Sequence, residues 1–152
     1  MGLKPATPQK FDDKEAVKKW GKILISDGFT IIPNAIIEHQ AKLGLEAIDF
    51  AIIAIFAKYW WKANEPPFPG KKRIAACLGV EPRTIQRRLA ALVKANVLTR
   101  KPRKYVNGGT NTNAYELGPL ITKAEPYAED ELRQREARRE KKTVRGLRLV
   151  KP

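Results

Sequence analysis

Four side chains in the middle of the chain have the types and spacing to read the edges of nucleic-acid bases: Arg83, Thr84, Gln86 and Arg87. A guanidinium can donate two parallel hydrogen bonds to guanine, and a carboxamide can pair with adenine through one donor and one acceptor. These residues lie where Ile85, Leu89 and Leu92 recur at helical spacing. If that apolar face points inward, Arg83, Gln86, Arg87 and Ala90 point outward, with Thr84 near the helix N-terminus. A second set, Arg100, Lys101, Arg103 and Lys104, follows downstream and suits the neutralisation of phosphates. Lys71 and Lys72, ahead of Arg83, join the same cationic group. Asn111 and Asn113 have two readings, shaping a turn or contacting a groove. Arg88 also has two, a structural role at the core boundary or a phosphate contact.

The charge distribution singles out the same region. The chain has 152 residues, with 30 Lys and Arg against 16 Asp and Glu, a formal net charge of +14. Residues 66–106 alone carry eleven basic residues and one acid, Glu81. Surfaces ordinarily interleave both signs, because like charges repel. A one-signed segment with its hydrophobic period intact points to a polyanionic partner. Other chemistries are poorly served. A single Cys77 excludes an internal disulfide and a thiolate zinc cluster, and a single His39 excludes a two-histidine metal site. The acids form no paired arrangement suited to general acid–base work, and no phosphate-cradling glycine loop occurs. The expectation is a non-enzyme without catalytic residues, metal or cofactor.

Three steric conditions at fixed offsets define how these residues are held. A helix-turn-helix needs a small residue where its two helices cross, a residue tolerant of positive φ in the turn, and aliphatic residues packing the second helix back on the first. Ala75, Gly79 and Ile85 meet them. Ile74, Leu78 and Val80 add core contacts, and Pro82 suits the first position of the second helix. The segments LTRKPRKYV and AYELGPL read as strands around the polar loop NGGTNTN, with Tyr115 and Leu117 inward. Such a basic hairpin is a wing, with Pro102 marking an edge strand.

The flanking segments read as follows. Residues 1–11 are polar and loose; a short helix capped by Asp12 or Asp13 ends at Gly21. ILISDGFTII reads as two β-like fragments around Asp27-Gly28. Pro33 opens a helix that Gly44 ends, with His39 on its surface. LEAIDFAIIAIFAKYWW reads as the central core helix, with Glu46 and Asp49 in its first turn, stopped by Pro66, Pro67 and Pro69. Trp60 and Trp61 either close that helix end or stack on bases. Cys77 is expected to pack against a neighbouring helix. A final charged helix is expected over roughly Ala128 to Lys142, followed by a short basic tail.

IAACLGVEPRTIQRRLAALVKANVLTRKPR followed by NTNAYELGPL resembles the winged helix-turn-helix family common in bacterial regulators and in phage and plasmid replication proteins. FTIIPNAIIEHQAKLGLEAIDFAIIAIFAKYWW resembles the helices preceding the motif, so the likeness covers about residues 28–121. Two positions depart from the family pattern: Gly70 and Glu81 stand where Ser or Thr usually caps a helix. The resemblance implies a mainly α fold with a small β-hairpin wing.

The resulting organisation is an N-terminal segment (1–27), a winged helix-turn-helix domain (28–121) and a charged C-terminal helix with basic tail (122–152). The expected function is sequence-specific double-stranded DNA binding by a transcriptional regulator. The alternatives are a phage or plasmid replication-initiation or replisome-organising protein, or an RNA-binding or nucleoprotein subunit. The expected partners are double-stranded DNA and either a second copy or a replication partner, with no membrane. Candidate assembly contacts are the first helix, with Val17 and Trp20, and the charged helix from Ala128 to Lys142; the expectation is a dimer through N-terminal elements or a monomer recruited by a partner on DNA, with the tail touching phosphates or that partner. The N-terminus lacks a signal-peptide core, Ala6 breaks the myristoylation pattern, and the longest apolar run, Phe50 to Ala57, is too short to span a bilayer. The expected location is the cytoplasm, associated with the nucleoid.

Overall fold

Ile52, Ile53 and Phe56 repeat along one helical face and are almost wholly removed from solvent. In the computed structural model, which describes residues 13–149, they belong to α4 (Ala47–Tyr59). The chain divides into two units, Thr30–Ala128 and a second drawn from the residues before Thr30 and after Ala128. All the buried side chains of the described residues fall in the first.

That first unit contains α3 (Asn34–Glu38), α4, α5 (Lys71–Leu78), α6 (Pro82–Lys94), β1 (Thr99–Lys101), β2 (Ala114–Glu116) and the start of α7 (Gly118–Leu149). The order is that of a winged helix-turn-helix: α3 and α4 lead into the motif formed by α5 and α6, and a two-stranded antiparallel hairpin follows it. Ala75 and Ile85 are buried where α5 meets α6, and Gly79 adopts φ +66° in the turn between them. Only a residue tolerant of left-handed backbone suits that turn. Pro82 is the first residue of α6, where its missing N–H leaves nothing unsatisfied. Gly70 and Glu81 occupy the N-cap positions without a side-chain cap bond, so both helix starts agree with the sequence register.

The hairpin is shorter than the sequence pattern suggests. Thr99 pairs with Glu116, Arg100 with Tyr115 and Lys101 with Ala114. Pro102 then interrupts the ladder, because it has no N–H to donate. A single bridge between Lys104 and Thr110 resumes it nearer the tip. GPL, expected to continue the second strand, instead opens α7. This helix starts ten residues before the expected Ala128 and continues through Pro126. Burial of Leu120 and Ala124, with partial burial of Tyr127, anchors its first turns and offsets the lost backbone bond at the proline. The 121/122 division therefore falls inside a helix.

Other local readings change too. Pro33 is the N-cap of α3 rather than its first residue, and α3 ends at Glu38. Turns then lead to Gly44 at φ +72°. His39 lies in those turns, its ring stacked on Tyr127 at 4.8 Å. Trp60 packs partly against the core, whereas Trp61 is exposed. Cys77 is exposed rather than packed against a helix, because it faces away from the buried pair Ile74 and Ala75.

The second unit contains α1 (Asp13–Trp20), α2 (Lys22–Asp27) and the remainder of α7. Acids in the first turn of α1 and lysines in its last complement the helix dipole. The ILIS fragment, expected to be extended, is helical in α2. Without a neighbouring strand, a helical turn lets its backbone amides bond locally. Expectations for residues 1–12, including a cap at Asp12, lie outside the described residues.

Candidate nucleic-acid interface

The outward face of α6 is set by its exposed positions. Arg83, Gln86, Arg87 and Ala90 are exposed, while Ile85, Leu89 and Leu92 are buried beneath them. With Pro82, Lys71 and Lys72, the exposed four line an open groove of about 810 Å³. Lys71 and Lys72 also border a second concavity of about 430 Å³ beside Thr110, Asn111, Thr112, Asn113 and Tyr115. The two lysines therefore join the α6 face to the wing loop. Thr84 is half-buried and lies outside both grooves.

The wing cations differ in their surroundings. The Arg103 guanidinium lies over the Phe68 ring, 3.6 Å from its centroid. It also donates from Nη1 to the Thr112 carbonyl at 3.4 Å. Arg103 thus ties the wing to the segment preceding α5. Lys101 Nζ is 3.6 Å from Glu116 across the hairpin, on an exposed face where such a pair contributes little. Arg100 and Lys104 are exposed. Asn111 Oδ1 accepts the Thr112 N–H at 2.7 Å, which gives it the turn-shaping role. Asn113 bonds the Tyr115 hydroxyl. Burial pushes the Tyr115 phenol above its ordinary range, opposed by that bond and by the charge of Arg100.

Arg88 is structural. Its Nε donates to Asp49 Oδ1 at 2.8 Å and its Nη2 to Asp49 Oδ2 at 2.7 Å. Its Nη1 donates to Glu46 Oε1 at 3.3 Å. Asp49 is 0% exposed, and its Oδ2 also accepts the Glu46 N–H at 2.9 Å. The hydrogen bond from Arg88 to Asp49 raises the guanidinium pKa further, so the cation stays charged. One bidentate pair therefore fixes α6, and with it the groove-lining face, to the N-terminus of α4. Sequence reasoning missed this partnership and the Phe68–Arg103 stack. It also missed Arg73, whose guanidinium lies 5.4 Å from the centroid of Tyr59.

The arrangement offers cations and amide groups on one open surface, the chemistry that a duplex recognises. Among the described residues, no group of three or more His, Cys, Asp or Glu side chains could hold a metal ion. No helix among them is long and apolar enough to cross a membrane. Residues 43–98 match a family model described as a helix-turn-helix domain. The match runs through α4, α5 and α6 and stops immediately before β1. No curated protein matches the chain.

Proposed function

Because residues 43–98 match a family model described as a helix-turn-helix domain, we propose that this chain is a sequence-specific double-stranded DNA-binding protein acting as a transcriptional regulator, without catalysis. The N-terminal half of α6 enters the major groove. Arg83, Gln86 and Arg87 read base edges there. Lys71, Lys72, Arg100 and Lys104 hold flanking phosphates, and Lys101 adds to that charge. Arg103, Asn111 and Asn113 keep the wing in shape, with Thr84 close to the backbone at the helix start.

The observation that carries this reading is the continuity of the α6 groove with the wing loop through Lys71 and Lys72. The test is selection of bound sequences from random duplex DNA by the full chain. Enrichment of a short motif is the expected result, and an unenriched pool overturns the reading. A reporter whose promoter contains the selected motif then measures control of transcription; an unchanged output leaves DNA binding standing but removes the regulatory role.

One recognition helix covers few base pairs, and two-fold assembly on paired half-sites is the usual remedy. We therefore propose a homodimer through α1 and α2, supported by the exposed apolar side chains Trp20, Ile23 and Leu24. Light scattering with and without duplex tests it. A monomer in both conditions assigns recruitment to a separate partner, as a replication or nucleoprotein role would require. Cytoplasmic, nucleoid-associated placement accompanies this proposal.

A further inference from the structure

The distal part of α7 carries a charge pattern that helix physics alone disfavours. Residues 124–132 contain four acids and no base, whereas residues 133–147 contain seven bases and two acids. At the junction the charges are complementary: Arg133 pairs with Asp130 and Arg135 with Glu131, each at 3.5 Å. Beyond Arg135, among the described residues, no ion pair forms within α7. Instead Arg135 and Arg139, Arg138 and Lys142, and Lys141 and Arg145 stand four apart with like charge. Each such pair disfavours the helix. The helix dipole rewards cations only in the last turn, so it does not account for Arg135 or Arg138.

The cations are also sorted by face. Arg135, Arg138, Arg139, Lys142 and Arg145 follow offsets of three and four and form one exposed stripe. Glu136, Ala137, Glu140, Val144 and Leu147 fall on the other side. At 1.5 Å per residue the stripe is about 15 Å long, a length matched to several phosphates of a duplex. An anionic surface against it would relieve the like-charge repulsion.

We propose that the 135–145 stripe of α7 is a second DNA contact, sequence-independent and made to the phosphate backbone. The proposal rests on the DNA-binding reading only for the identity of the polyanion. Its signature is electrostatic affinity separable from base preference.

Two full-length variants with equal charge loss test it. One carries Arg138→Gln and Lys142→Gln on the stripe; the other carries Arg133→Gln and Lys141→Gln off it. Circular dichroism establishes that helix content is unchanged. Binding is measured on a random-sequence duplex as a function of salt. The stripe variant is expected to bind roughly tenfold more weakly at low salt, with a salt slope shallower by about two, while the other variant stays near the parent. Base preference in the selection assay should persist in both. Equal weakening of both variants would mean bulk charge only and overturn the stripe. A stripe variant that binds duplex like the parent but loses single-stranded RNA would also overturn it. A chain with no base preference but a stripe-dependent salt slope would remove the sequence-specific reading and leave this one intact.

Discussion

Asp49 stands with Ile52, Ile53 and Phe56 at offsets of three, four and seven, so it occupies a buried stripe. Arg88 occupies the equivalent position among Ile85, Leu89 and Leu92. Removing one partner of a buried pair leaves an uncompensated charge. Arg88→Ala is expected to destabilise the fold by about 3–5 kcal/mol in urea unfolding, whereas Asp49→Leu with Arg88→Met recovers most of that loss. A small effect of Arg88→Ala would show that α6 is not held by this pair. The pairing was half legible: each charge was visible on an apolar stripe, but which stripes face one another is a tertiary fact. At the outward positions, Arg87→Ala should cost about 1–3 kcal/mol on a selected site and relax one or two base pairs. Lys104→Ala should weaken all sequences alike and lower the salt slope by about one. Equal loss of specific and non-specific binding in both variants would refute the division of roles. Tyr115 adds a pH dependence. Its folded pKa is raised above the ordinary 10.0. The fold therefore favours the neutral phenol, and this contribution is complete below pH 10 and lost as pH rises through the folded value. Melting between pH 8 and 11 should show an alkaline decline that Tyr115→Phe reduces.

At the scale of elements, the helix-turn-helix was legible because several independent offsets had to agree. Ala75, Gly79, Pro82 and Ile85 each answer a different steric demand, and each lies where that demand arises. The wing was legible as a hairpin but not in length, since the break at Pro102 and the stack of Arg103 on Phe68 decide where pairing ends. α2 was misread because the β-branched residues of ILIS suggest a strand, yet among the described residues no strand partners them. α7 was misread because AYELGPL reads as a strand running on through Leu120, and nothing local reveals that Leu120 and Ala124 are buried on a helix face. Likewise the groove-bridging position of Lys71 and Lys72 depends on the packing of α5 beside both α6 and the wing. The crossing itself offers the cleanest test of this scale. Ala75→Leu adds three carbons where α5 meets α6, an overpacking cost of about 1–3 kcal/mol. Urea midpoints and duplex binding should fall together; loss of binding at unchanged stability would move the crossing elsewhere.

For the whole molecule, the division of charge corresponds to the two proposed binding surfaces. Residues 66–106 hold ten of the fourteen net charges, and the distal part of α7 supplies a separate basic run. About four to seven phosphate contacts by the helix-turn-helix and wing correspond to a salt slope of roughly −4 to −6. The full chain should exceed that slope if α7 also engages the backbone. Truncation after Ala128 separates the two contributions, because Leu120, Ala124 and Tyr127 are retained. Its melting temperature should stay near that of the parent, and its salt slope should fall into the range set by the first surface. Truncation after Pro126 differs by losing Tyr127, which stacks on His39 and has Lys42 Nζ 5.5 Å from its ring centroid. Losing that aromatic stack should cost about 0.5–1.5 kcal/mol more, visible as a lower melting temperature. If truncation after Ala128 itself collapses the melting temperature, the distal helix contributes to the core. If it leaves the salt slope of the full chain unchanged, the whole of the electrostatic affinity resides in the helix-turn-helix and wing.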